Sequence, residues 1–165
     1  MFRMQSAIPI LAIGGLLGLP CLLDAQEEGQ PQTTHGSWVG GGDVIVVVPN
    51  SRRVVSAFSA DTGTWGSIEL NVPLAPKSDV IVGQKMAFFE TEDCIYAFSA
   101  KRAIWDKLPI PEDAVASVRF YSDHIIQVQM AGSLFLYSIN SRQWTGRSLA
   151  TGQDTPVEST GQITK

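Results

Sequence analysis

Histidine and cysteine are nearly missing from this chain, and charge is sparse. The only histidines are His35 and His124, and the only cysteines are Cys21 and Cys94. With Cys21 inside an apolar leader, Cys94 stands alone once that leader is removed, which excludes an intrachain disulfide and any cysteine-based metal site. Charged residues make up 17% of the sequence, the net charge is −4 and the pI is near 5.1. That balance excludes a phosphate-tracking surface, which needs clustered Lys and Arg. The adjacent basic pairs are Arg52–Arg53 and Lys101–Arg102, and they read as hairpin residues, so no nucleic-acid partner is expected.

Helical patterning is also missing. Outside the leader, no stretch of eleven or more residues carries apolar positions at three-to-four spacing, and β-branched and aromatic residues dominate the apolar runs. G-x-S-x-G, HExxH and a phosphate-cradling glycine loop do not occur. Gly40–Gly42 leads into a strand pattern rather than a helix, so it makes no nucleotide loop. These absences exclude the common hydrolase and nucleotide-binding signatures. No cofactor is expected.

One long apolar run is present. Arg3 precedes the uncharged stretch Ala7–Leu23, and Asp24-Ala25-Gln26 follows it. This pattern is that of a secretory signal cleaved after Ala25, so the chain is expected to be exported, to a periplasmic or extracellular place. A retained anchor is the competing reading, but Pro9, Gly14, Gly15, Gly18 and Pro20 interrupt a run already short for a span of roughly 20 residues. A lipoprotein acylated at Cys21 ranks behind both. No membrane association is expected beyond this leader. Residues 26–35 read as a flexible linker, and residues 150–165, rich in Thr, Gly, Gln and Ser, as a disordered tail.

What the middle of the chain does contain is one unit written three times. Phe58, Phe98 and Tyr137 hold one place in it, Ser59, Ser99 and Ser138 follow, and Trp65, Trp105 and Trp144 each come seven residues after the aromatic. Leu70, Ile110 and Leu149 close the copies at equal distance from each Trp. Upstream of every copy lie short apolar runs separated by turn residues, so each unit amounts to four strands of the usual length. Four antiparallel strands recurring at about 40 residues are the signature of a propeller blade. The expected fold is therefore all-β: three four-stranded antiparallel blades of a partial β-propeller, over residues 36–70, 79–110 and 117–149 within a domain of residues 36–149. Val44–Val48 and Met86–Phe89 are apolar on both alternating faces, which requires cover above and below, as stacked blades provide. The Trp of each unit is then expected to lie across the next blade, burying roughly 150–250 Å².

The segments FSADTGTW, FSAKRAIW and YSINSRQW resemble the third and fourth strands of kelch repeats, where a Tyr precedes a Trp by the same interval. The resemblance covers residues 36–149 and implies a β-propeller with blade-to-blade packing. YAFSA and DTG are also similar to the strand and turn of pyrroloquinoline-quinone-type propeller repeats, although no quinone site is placed on the chain.

Closed propellers have four to eight blades, and this sequence supplies three. Either a homodimer completing a six-bladed ring or a protein partner supplying further blades is expected, because bare apolar sheet faces are rare on soluble monomers. Function is expected on the loop face, where Arg52, Arg53, Glu90, Glu92 and Asp93 fall. The acidic group Glu90–Asp93 suits a hard cation or a solvated hairpin tip; the arginine pair suits a carboxylate or sulfate, or a charged turn. The expected role is a non-catalytic binding or assembly module. The alternative is a small secreted hydrolase or lyase, for which Ser122, Asp123 and His124 are neighbours in sequence only, since successive strand residues point to opposite faces.

Overall fold

A computed structural model describes residues 36–141 and 143–157. The leader, the linker over residues 26–35 and the last part of the tail lie outside the described residues. Among the described residues, thirteen strands form three sheets and there is no helix. The first sheet is β1 (Ser37–Gly41), β2 (Val44–Val48), β3 (Val54–Ser59) and β4 (Thr64–Glu69), paired in chain order. The second is β5 (Ile81–Val82), β6 (Met86–Glu90), β7 (Cys94–Ser99) and β8 (Ile104–Pro109), again in order. The third runs β9 (Ser117–Tyr121), β10 (Ile125–Met130), β11 (Ser133–Ser138), β12 (Thr145–Ser148) and β13 (Asp154–Thr155). Every pairing is antiparallel. Among the described residues the chain is thus an all-β array of antiparallel blades, two four-stranded and the third extended to five by β13, a partial β-propeller with no closed barrel.

Tight turns set these meanders. Between β10 and β11, Ala131 and Gly132 both take positive φ, 47° and 72°, and Met130 pairs directly with Ser133. Such a two-residue turn matches the right-handed twist of its strands. Between β7 and β8, Ala103 takes φ 51° where the first unit has Gly63, so an alanine tolerates a conformation that favours glycine.

The second sheet explains the stacking. Four residues of β6, Met86 to Phe89, and all six of β7 are buried. Alternation sends Ala87, Phe89, Cys94, Tyr96, Phe98 and Trp105 into one core with Val44, Val46, Val55 and Ala57 of the first sheet. Met86, Phe88, Ile95, Ala97 and Leu108 enter the other core with Ile126, Val128, Phe135, Tyr137 and Trp144 of the third. A strand with two apolar faces favours cover on both; β6 and β7 have it, whereas β2, apolar on both faces and expected to be covered above and below, leaves Ile45 41% exposed because no sheet precedes the first.

Two expectations are corrected. Trp105 and Trp144 seat on the preceding blade, not the next, while Trp65 of the first unit stays 55% exposed. Trp105 of the second unit donates its Nε1–H to the Gly66 carbonyl of the first at 3.2 Å, and Trp144 of the third unit lies in the core shared with the second. The reason is the pleat: Trp105 pairs with Phe98, and that face of β7 points back at the first sheet. The segment after Ala150 also differs from a wholly disordered tail. Asp154–Thr155 pairs with Gly146 and Arg147, Arg147 forms an ion pair with Asp154 at 2.8 Å, and Val157 packs on the second core. A polar composition hid a strand whose stability comes from ladder bonds and one edge contact rather than from apolar content.

Candidate functional site: a cleft on the loop side

Hydrogen bonds tie each sheet to the next at the end of the blades marked by Ser59 and Ser99. At the first joint, Ser59 Oγ–H donates to the Ala100 carbonyl at 2.5 Å; at the second, Ser99 Oγ–H donates to the Ile139 carbonyl at 2.8 Å. The repeated serine is therefore a stitch from each blade to the one after it. Asp43 N–H donates to the Gln84 carbonyl at 2.8 Å, and Gln84 N–H to Asp123 Oδ1 at 2.9 Å. Lys85 reaches back to Asp43 and to Asp61 at 2.7 Å, and these two hydrogen bonds raise its pKa above the ordinary lysine value.

Position 66 shows how close the first joint is. A Cβ there would sit 2.3 Å from the Ala103 carbonyl oxygen and 3.1 Å from the Phe98 ring, so only glycine fits. In the second joint the equivalent place holds Asp106, which is buried and accepts from Trp144 N–H at 2.9 Å. Burial raises its carboxyl pKa; the bonds from the Trp144 and Lys107 backbones and the Lys107 charge oppose that rise. Tyr137 Oη and Trp144 Nε1 are buried nearby, each without a hydrogen-bond partner among the described residues.

A cleft of about 920 Å³ opens on the side where the units connect. One wall is the β4–β5 connection, with Leu70, Asn71, Val72, Pro73 and Asp79; another is the β6–β7 hairpin, with Glu90, Thr91, Glu92 and Asp93; Val118 and Tyr121 of β9 close it. Phe88, Phe89 and Tyr96 contribute the aromatic lining. Phe89 stacks on Tyr96 at 4.7 Å and Phe88 meets Tyr121 at 5.2 Å. The hairpin is tight: Thr91 Oγ1 donates to Asp93 Oδ1 at 2.7 Å and accepts from Cys94 N–H at 3.1 Å. Asp79, Glu90, Glu92 and Asp93 are exposed, and among the described residues every charged side chain lining the cleft is acidic.

The residues singled out from sequence separate here. Glu90, Glu92 and Asp93 are brought together at the rim. Arg52 and Arg53 stand outside the lining and serve the adjoining wall. Arg52, at φ 52°, donates to the carbonyls of Leu74 and Ala75, each at 2.5 Å, and Arg53 donates to the Asn71 carbonyl at 3.1 Å. These guanidiniums hold the long β4–β5 connection in place. Asp79, Tyr96 and Tyr121 went unnoticed; the signal that finds them is position, since each sits on a strand or connection bordering the loop side. Among the described residues, no three of His, Cys, Asp and Glu come together as a metal-holding group. Of the trio near β10, Ser122 Oγ accepts from His124 N–H at 3.2 Å and Asp123 Oδ1 is taken by Gln84, so backbone groups engage both. Cys94 is buried, and its thiol pKa is raised, first by burial and then by the Asp93 charge.

These features define a class: a β-propeller-type chain with a preformed cleft beside its blade connections. No family model matches the chain, and no curated protein matches it. The crystal structure of Kluyvelomyces marxianus Hsv2 is similar over 70% of this chain, at 10% identity and a TM-score of 0.33, and the matched region spans 48% of that protein.

Proposed function

We propose that the chain is an exported, non-catalytic binding module, built from kelch-like repeats, that takes a Lys- or Arg-bearing peptide segment in the cleft. The observation that carries this reading is the lining itself: among the described residues, four carboxylates and no basic side chain over an aromatic wall. Carboxylates attract a cationic head, and aromatic faces accept both a cation and its apolar stem. Because no three of these carboxylates converge as a metal-holding group among the described residues, they suit an extended organic cation better than a compact metal ion, which needs convergent oxygens. Export is supported by the Ala7–Leu23 pattern following Arg3.

Titration of a fluorescent Lys/Arg-rich peptide, beside a Glu-rich peptide of equal length, tests this. Only the basic peptide is expected to bind, more weakly as salt rises. Neutralising the rim as Glu90→Gln/Glu92→Gln/Asp93→Asn removes exposed pairs worth about 0.2–1 kcal/mol each, so binding should weaken roughly tenfold. Equal binding of both peptides, or no effect of the triple change, overturns the reading. A signal-sequence reporter fusion that stays in the cytoplasm overturns the export part alone.

A further inference from the structure

The outer face of the first sheet repeats, uncovered, the surface by which the other two sheets are seated. Phe98–Trp105 and Tyr137–Trp144 are ring pairs 5.2 and 5.4 Å apart at 48° and 42°, and each pair lies on the sheet before it. Phe58–Trp65 has the same geometry, 5.3 Å and 55°, yet Trp65 is 55% exposed where Trp105 and Trp144 are 7% and 1%. Trp38, 71% exposed, and Ile45, 41% exposed, extend the band across all four strands, since Ile45 pairs with Phe58 and Phe58 with Trp65. At roughly 200 Å² per ring system, the two tryptophans alone leave on the order of 250 Å² of apolar surface, close to the largest patches that monomers carry.

The far face of the third sheet is built as its counterpart. Ser138 stands there in the place from which Ser59 and Ser99 stitch to the following blade. Leu136, half-buried, replaces the Ala57 and Ala97 of the other two sheets. On the first sheet's open side, Ser56 replaces Tyr96 and Phe135. Bulk lost from one face is regained on the other, as packing across a shared joint requires. We propose that the first sheet of one copy docks on the third sheet of a second copy, head to tail, and that two such joints close a six-bladed ring. This inference is independent of what the cleft holds. A twofold axis through the ring makes both joints identical, which closes the assembly and leaves no sheet face open.

Light scattering coupled to gel filtration, over a wide concentration range, tests the ring on the purified chain. The expected mass is two chains. Trp65→Glu and Leu136→Glu, each checked for native folding by circular dichroism, should each raise the dissociation constant at least ~30-fold, the loss expected for a buried aromatic anchor or an introduced buried charge. Mixing the two variants should restore pairing, because one joint then joins two unaltered faces. A monomer at high concentration overturns the proposal. So does a dimer insensitive to Leu136→Glu, which would mean that first sheets pair with each other, and so does an assembly larger than two chains, which would mean that the joint does not close.

Discussion

Gly66→Ala adds one methyl group, and the close approach at the first joint makes that addition costly. The new Cβ would lie 2.3 Å from the Ala103 carbonyl oxygen and 3.0 Å from its carbon. Ordinary contact begins near 3.4 Å, so the backbones of β4 and of the β7–β8 turn must separate by about 1 Å. A gap of 0.5–1 Å forfeits about a quarter to a half of the dispersion well. The side chains seated there are Phe98 and Trp105, which are 0% and 7% exposed. At about 25 cal/mol per Å² over roughly 200 Å² each, they contribute about 10 kcal/mol of burial. Losing about a third of that costs roughly 3 kcal/mol, a large part of the 5–15 kcal/mol that keeps an ordinary domain folded. Urea unfolding followed by tryptophan fluorescence measures it. Gly63→Ala is the control: its φ of 68° adds backbone strain, but nothing lies within 4 Å of the added methyl, so its loss should stay near 1 kcal/mol. A Gly66→Ala loss below that of Gly63→Ala would refute the account of how the blades are seated.

Trp105→Ala should cost about 3–5 kcal/mol, the range for removing a buried large aromatic, because the ring and its bond to Gly66 are both lost; a midpoint shift in urea under half that size would mean that Trp105 does not hold the first joint. Asp106→Asn keeps an acceptor for Trp144 N–H and removes a buried charge. The folded pKa of Asp106 lies above its unfolded value, so the native state binds the proton more tightly, and Asp106 lowers stability increasingly as pH rises from the unfolded value through the raised one. Stability–pH curves of variant and parent should therefore coincide in acid and diverge upward through that window in favour of Asn; curves that stay parallel would rule the buried carboxylate out as a pH-sensitive element.

The period was legible because the features that make it are chemical rather than positional. Trp65, Trp105 and Trp144 in register, and the doubly apolar run Met86–Phe89, both require stacked sheets. The direction of stacking was not legible. Whether Trp105 meets the sheet before or after it depends on which pleat face turns inward, and the alternation of β7 reads as apolar on both faces. The rim residues Glu90, Glu92 and Asp93 stood out as a charge run, whereas Asp79 and Tyr121 enter the cleft only through the order of strands. Arg52 and Arg53 were visible as charge but not as clamps, because their acceptors are backbone carbonyls some twenty residues away, and carbonyls leave no mark in a sequence.

The backward reach of Trp105 and Trp144 also has a temporal side. During synthesis from the N-terminus, the small-residue surface of Ala57 and Gly66 emerges before the ring that will cover it, and every later unit arrives carrying its own lid for the one already made. Growth of the array is thereby vectorial: the newer sheet closes over its elder, like tiles laid up a roof, and the nascent chain leaves the seats on the first and second sheets waiting only for the span of one further unit.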